Sequence, residues 1–173
     1  MPTIASQFLE VQGLQIEASI NMPGEESRSI TLVDNISFKL EKGKVLGLIG
    51  ESGAGKSTIG LAALSYGRGG CNITGGKIIL EGEDILSLSP AQVRKIRGTR
   101  IAYVAQSAAA AFNPAHRIGD QVIEVALEHK LMSKTAALAY AEVLYEKLGL
   151  PDPQNFGKRY PHQVSGGQLQ RAM

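Results

Sequence analysis

The run Gly50-Glu51-Ser52-Gly53-Ala54-Gly55-Lys56-Ser57-Thr58 restricts the fold more than any other stretch of this chain. It reads G-x-x-x-x-G-K-[ST], a loop that belongs between a buried strand and the start of a helix. The flanks have the right character on both sides. Val45-Leu46-Gly47-Leu48-Ile49 is a short apolar run suited to a strand buried on both faces. Thr58 to Tyr66 is rich in Ala, Leu and Ile and stops at Gly67, as a helix does. An ordinary glycine turn would require none of this context.

The residue types dictate the chemistry. Gly50, Gly53 and Gly55 let the backbone turn tightly, so that successive N–H groups point inward as an anion-binding nest. The start of the following helix adds its partial positive charge. The expected nucleotide-binding set is Gly50, Ser52, Gly53, Ala54, Gly55, Lys56, Ser57 and Thr58. Within it Lys56 serves the β- and γ-phosphates, Ser57 offers a hydroxyl to Mg²⁺, and Thr58 faces the α-phosphate side. The loop predicts a nucleoside triphosphate with Mg²⁺ and leaves open both the base and the work done.

The 173 residues suffice for one well-buried core with a smaller subdomain, and the composition, 43% hydrophobic and 20% charged, is that of a globular chain. A net charge of +2 gives no case for nucleic acid or an anionic membrane surface. Cys71 stands alone, so no intrachain disulfide is expected, in keeping with a reducing compartment. Met1 to Ser6 lacks the basic start and apolar core of a signal peptide. No apolar run approaches the ~18 residues of a membrane span. His116, His129 and His162 fit no zinc spacing and read as structural or surface residues.

Alternation predicts strands over Phe8–Ile16 and Ile30–Leu40, with a Pro23-Gly24 loop between them and a turn at Glu41–Lys44. Gly75-Gly76 precedes a strand at Lys77–Leu80, followed by a turn at Glu81–Asp84. Ser89-Pro90 opens a short helix to Ile96. Ile101–Val104 is a further apolar strand ending just before Gln106. Beyond it, the spacing predicts helices over Ile118–Leu131 and Ser133–Leu148, the second with a stripe of Leu138, Ala141, Leu144, Tyr145 and Leu148. Gly149 ends that helix, and Pro151 and Pro153 prevent its resumption.

A second phosphate-type motif closes the chain: Val164-Ser165-Gly166-Gly167-Gln168, a small hydroxyl and two glycines opening a helix. With the first loop and Gln106 between them, the chain resembles the ATP-binding subunits of ABC transporters, over nearly its whole length. Val164–Gln168 looks like the family's signature motif, and Gln106 like its Q-loop glutamine. Gly75–Ile78, Arg97–Ile101, Phe112–Pro114, Ile118–Gln121 and Arg159–His162 resemble the branch serving peptide and nickel importers.

The resemblance implies an α/β fold: a P-loop NTPase (RecA-like) parallel-sheet core with an antiparallel β-subdomain and an α-helical subdomain, incomplete at the C-terminus. Residues 1–106 would form the core half with the β-subdomain, and 107–173 the helical subdomain. It implies ATP and Mg²⁺ as cofactors, with Lys56 and Gln106 catalytic and Ser57 and Gln106 holding the metal. Ser165, Gly166, Gly167 and Gln168 would complete the site of a second ATP-binding subunit, in a homo- or heterodimer. Transmembrane permease subunits would hold the protein on the cytoplasmic face of the membrane, with a substrate-binding protein as an indirect partner and no nucleic acid.

Three departures from the family pattern stand out. Val164 replaces the usual Leu. Ala18 falls where the family often stacks adenine on an aromatic ring, so base recognition is expected to be weaker or to use another residue. The chain ends at Met173, ahead of the Walker B Asp and Glu and the switch His that the family places later, so these 173 residues are expected to bind nucleotide without hydrolysing it. The competing class, a soluble ABC-type ATPase of DNA or ribosome metabolism, fits less well. Gln106 and Ser165 are 59 positions apart (165 minus 106), too few for the long coiled coil of chromosome and repair members.

Overall fold

Core-facing positions change parity along the first strand. Leu9 and Val11 are odd and Leu14 and Ile16 even, yet all four are buried. A pleated strand repeats its face every second residue, so one extra residue must be absorbed between Val11 and Leu14. Gly13 lies in that interval with φ +57°, and the register of β1 (Gln7–Ile20) slips there against both of its neighbours. The neighbours are β2 (Arg28–Glu41) and β3 (Cys71–Leu80), both antiparallel to β1. A short β4 (Glu83–Asp84) completes the order β2-β1-β3-β4.

The computed structural model describes residues 7–20 and 28–173. Met1 to Ser6 and the expected Pro23-Gly24 loop lie outside the described residues. The chain divides into two compact units, Met1–Ile101 and Ala102–Met173.

In the first unit, Gly75 and Gly76 sit inside β3 rather than ahead of it. Gly76 has φ +93°, and a Cβ there would come within 2.6 Å of the Gln12 carbonyl oxygen, so the bare backbone of Gly76 packs on the bulge of β1. Glu81 (φ +51°) and Gly82 (φ +89°) form the two-residue turn into β4, both in the positive-φ region that a tight hairpin requires. Arg100 holds this hairpin through Glu81 (3.1 Å), Glu83 (2.7 Å) and the Leu80 carbonyl (3.2 Å). β2 is an edge strand, and the half-burial expected from its alternation is only partial. Val33 is buried, whereas Ile30, Leu32 and Ile36 are exposed.

Two expected strands are not formed as such. Val45 to Ile49 has no ladder, and Val45 and Ile49 are 97% and 100% exposed. Ile101 makes an isolated parallel bridge to Arg97, and Tyr103 and Val104 are exposed. Apolar composition favours a buried strand, but a strand is held by hydrogen bonds to its neighbours. Among the described residues no strand pairs with either run, and the single bridge at Ile101 does not extend into a ladder.

Helix α1 (Lys56–Ala62) starts and ends earlier than its composition suggests. Its exit is fixed from outside: Arg97 Nε donates to the Leu64 carbonyl (3.0 Å) and Nη2 to that of Ser65 (2.8 Å), and the guanidinium lies over the Tyr66 ring. Ser65 takes φ +55°, which closes the turn. Helix α2 (Pro90–Ile96) begins as expected, with Ser89 and Gln92 in a reciprocal capping box. Ala62, Leu64 and Ile96 are buried; Ala62 and Ile96 share one core with Leu9, Val11, Leu14 and Ile16 of β1.

The second unit is helical: α3 (Ala108–Ala111), α4 (Ile118–Val122), α5 (Glu124–Glu128), α6 (Lys134–Lys147), α7 (Pro153–Phe156), a 3-10 turn at Pro161–Gln163, and α8 (Gly166–Ala172). The single helix expected over Ile118–Leu131 breaks at Ile123, whose ψ of −4° departs from the helical value while its side chain stays in the core. Helix α6 starts where expected, with Ser133 as its cap. Of its expected stripe Ala141 and Tyr145 are buried, joined by Ala137, while Leu138 and Leu144 are half-buried and Leu148 is exposed. Pro153 then starts α7 at its first turn, where a missing N–H costs nothing.

Candidate functional site

The glycine loop is built by two left-handed residues. Gly53 (φ +88°) and Gly55 (φ +80°) flank Ala54, whose N–H donates to the Glu51 carbonyl at 3.2 Å to close a tight turn. Gly55 is demanded twice over, since a Cβ would also come within 3.2 Å of the Leu32 carbonyl oxygen and 3.3 Å of Val33 Cγ2. Gly55 is the cap residue of α1, and no side chain caps that helix start. The first-turn amides, those of Lys56, Ser57 and Thr58, therefore have no side-chain acceptor at the cap. Lys56 is half-buried and folds back over the loop, its ammonium donating to the carbonyls of Gly50 (2.8 Å) and Glu51. Ser57 is exposed on the first turn, and Thr58 is half-buried. Gly50, Ser52 and Gly53 are exposed along the loop.

No cluster of three or more His, Cys, Asp or Glu suited to a metal occurs among the described residues. A hard cation at this loop would therefore need most of its oxygens from a ligand or from water, which is how Mg²⁺ is commonly held. The exposed Ser57 hydroxyl is a hard oxygen compatible with that coordination.

In the second unit, Gln106 is exposed at a bend just before α3. Ser165 caps α8 in a reciprocal box: its Oγ accepts from the Gln168 amide (3.2 Å) and its own N–H donates to Gln168 Oε1 (2.9 Å). Gln168, expected to face nucleotide, thus has its side-chain oxygen engaged in the cap. Gly166 and Gly167 are exposed, with nothing within 4 Å of where a Cβ would stand, so the helix start presents an open backbone face. Val164 is half-buried against the unit's core, the role a Leu would fill. Ala18 is half-buried in β1, paired with Ile30 and Cys71.

Two residues beyond the expected set organise this region. Gln170 Nε2 donates to the Ala105 carbonyl and its Oε1 accepts from the Ala108 amide, both at 3.1 Å, so one side chain brackets Gln106. Arg171 Nη1 donates to the carbonyls of Leu148 (2.8 Å) and Gly149 (3.0 Å) at the end of α6. Both residues directly follow the signature run, but their partners lie far along the chain, and local spacing carries no signal of them.

The sequence profile described as ABC transporter matches residues 33–173. The chain is 36% identical over 170 residues to the probable peptide ABC transporter ATP-binding protein y4tR of Sinorhizobium fredii, covering 98% of this chain and 49% of that protein. It is 35% identical over 166 residues to the probable D,D-dipeptide transport ATP-binding protein DdpD of Escherichia coli, covering 95% and 49%. The chain thus spans about half the length of these curated relatives. Among solved structures, the dimeric structure of MJ0796, a bacterial ABC transporter cassette, matches with a TM-score of 0.73 at 22% identity, over 95% of this chain and 66% of that one. A dimeric post-hydrolysis state of the same cassette bound to ADP and Pi matches at 0.69 and 20% identity, with the same coverage. At such identities the likeness shows the fold, which is the α/β cassette architecture.

Proposed function

The chain belongs to the ABC transporter family, among the ATP-binding subunits of the peptide importer branch, and on that premise we propose that it binds ATP with Mg²⁺ and couples that binding to solute import through a membrane permease. The solute class is peptide-like or nickel-like, and hydrolysis of ATP is the work of the complete protein. The observation that carries this reading is the start of α1. Gly53 and Gly55 are left-handed, no side chain caps the helix, and the Lys56 ammonium bends over the loop.

That arrangement favours a polyphosphate. The Lys56 ammonium now rests on two neutral carbonyls, and charged phosphate oxygens are stronger acceptors by roughly twofold. The N–H groups of Gly53 and Gly55 and the first turn of α1 supply further donors, and that of Ala54 would join them on exchanging its Glu51 carbonyl for phosphate. Mg²⁺ would neutralise charge on the β- and γ-oxygens, with the Ser57 hydroxyl as its protein ligand and Gln106 as a second. Thr58 bonds the α-phosphate side, and Gln106 senses the γ-phosphate.

Ser165, Gly166, Gly167 and Gln168 form the face that completes a second subunit's site, through the open helix start at Gly166 and Gly167 rather than through the engaged Gln168 oxygen. Two supports stand beside the geometry: the relatives' names specify peptide and dipeptide transport, and the structural neighbours are dimeric. No described helix is long and apolar enough to cross a membrane. In this reading the permease holds the subunit on the cytoplasmic face, and the substrate-binding protein is reached only through it.

Equilibrium titration of this chain with ATP, with and without Mg²⁺, tests the reading. Tighter binding with Mg²⁺ and a loss of about tenfold or more in Lys56→Ala, equivalent to about 1.4 kcal/mol, are expected. Equal affinities for wild type and Lys56→Ala would overturn it.

A further inference from the structure

The two hydrogen bonds of Gln170 call for a donor and an acceptor on one side-chain head, which a primary amide supplies at every pH. The nitrogen donates to the Ala105 carbonyl and the oxygen accepts from the Ala108 amide, each at 3.1 Å. Ala108 is the first residue of α3, so its N–H has no partner within that helix. The residue placed to cap it, Ser107, makes no side-chain cap bond. Gln170 supplies the missing acceptor from a different helix. The same two helices share apolar packing, with Ala108 of α3 and Leu169 and Ala172 of α8 buried in one core. Gln106 lies between the two bracketed positions and leaves its own side chain exposed.

We propose that Gln170 is a positioning residue for Gln106, fixing the bend that carries it to the helix opened by Ser165. The helix start that meets one nucleotide and the glutamine that meets another then move as one piece. A γ-phosphate contact at Gly166 and Gly167 is thereby relayed to Gln106 along the helix, Gln170 standing five positions after Ser165 (170 minus 165). This rests on the nucleotide reading of the preceding subsection.

The proposal separates positioning from binding. In the assembled transporter, Gln170→Met removes donor and acceptor while keeping length. It is expected to lower kcat for ATP hydrolysis about tenfold, the order of effect that misplacing a reacting group produces, with KM within about twofold because Lys56 and the glycine loop are untouched. Amide hydrogen exchange at Ala108 is expected to accelerate in parallel. Gln170→Glu adds a readout that a packing role would not give. Its carboxylate accepts from Ala108 but repels the Ala105 carbonyl, whereas the protonated acid can donate to Ala105 and accept from Ala108 as the amide does. The ratio of its kcat to that of wild type is expected to rise as pH falls.

Lys56→Ala, measured in the same assay, keeps the two ideas apart. If it has no effect, the nucleotide reading is lost and this proposal with it. If it abolishes turnover while Gln170→Met keeps kcat within about twofold of wild type, positioning by Gln170 is excluded and the nucleotide reading stands. Should Gln170→Met fail to fold, Gln170→Glu decides alone, and a ratio that stays flat with pH overturns the proposal.

Discussion

Gly119 and Gly157 meet backbone to backbone: the Gly119 N–H donates to the Gly157 carbonyl at 2.8 Å, and a Cβ on Gly119 would stand 2.9 Å from that same oxygen. The contact locks the start of α4 against the turn after α7, and neither partner has a flexible end that could give way. Gly119→Ala is therefore expected to cost about 1–3 kcal/mol through overpacking. Gly60, in α1 with nothing within 4 Å of its Cβ position, provides the opposite case. Gly60→Ala is expected to stabilise by about 0.5–1 kcal/mol. Urea denaturation of both variants checks the pair, and a loss at Gly60 equal to that at Gly119 would refute the steric argument.

Tyr145 is buried in α6 with a hydroxyl that finds no hydrogen-bond partner among the described residues. Burial, with a smaller contribution from the Glu142 charge, pushes that hydroxyl from its ordinary value of 10 up to about 12. Between those values an unfolded chain loses the proton while the folded one keeps it, so stability falls as pH rises from 10 towards 12. Tyr145→Phe removes an unsatisfied hydroxyl and keeps the ring packed beside Phe156. It is expected to match or exceed wild type in melting temperature at neutral pH. The gap in its favour should widen above pH 10. A lower melting temperature at neutral pH would mean that the hydroxyl has a stabilising partner.

Arg97 ties the exit of the glycine-loop helix to the end of α2, through the Leu64 and Ser65 carbonyls and the Tyr66 ring. Lysine carries the charge but not the fork, so Arg97→Lys keeps at most one of the two bonds. It is expected to lose about 1–3 kcal/mol, the range for hydrogen bonds to charged groups. Thermal unfolding followed by far-UV circular dichroism measures the loss. Wild-type stability in Arg97→Lys would show that charge alone suffices there.

Features decided within a few residues are legible in the sequence. The caps at Ser89, Ser133 and Ser165 are bonds from a residue to the third one after it, and each opens a helix where the pattern placed it. The glycine loop is equally local. What escaped the sequence depends on distant partners. Val45–Ile49 has the composition of a buried strand, but strand formation is a property of two segments, and among the described residues none pairs with it. Gln170 and Arg171 look like the tail of a motif until their partners, 65 and 23 residues away, are known. The segment from Val11 to Leu14 is an intermediate case, since plain alternation finds the strand, whereas the bulge at Gly13 shows only in its register against both neighbours.

Ala18 offers a gain-of-function test of how the base is held. It lies in β1, half-buried between Ile30 and Cys71, at the place where the family's pattern often puts an aromatic ring. A methyl group cannot stack on adenine, whereas base–aromatic stacking contributes about 1–3 kcal/mol. Ala18→Trp is therefore expected to tighten ATP binding by about tenfold, equivalent to about 1.4 kcal/mol. Inorganic triphosphate, which has no base, should bind wild type and variant alike through the loop from Gly50 to Thr58. Titrating both ligands separates the contributions. If ATP affinity is unchanged while triphosphate binding is intact, the base is held elsewhere on the chain. If both ligands gain equally, the tryptophan acts on the phosphate loop and the stacking argument fails.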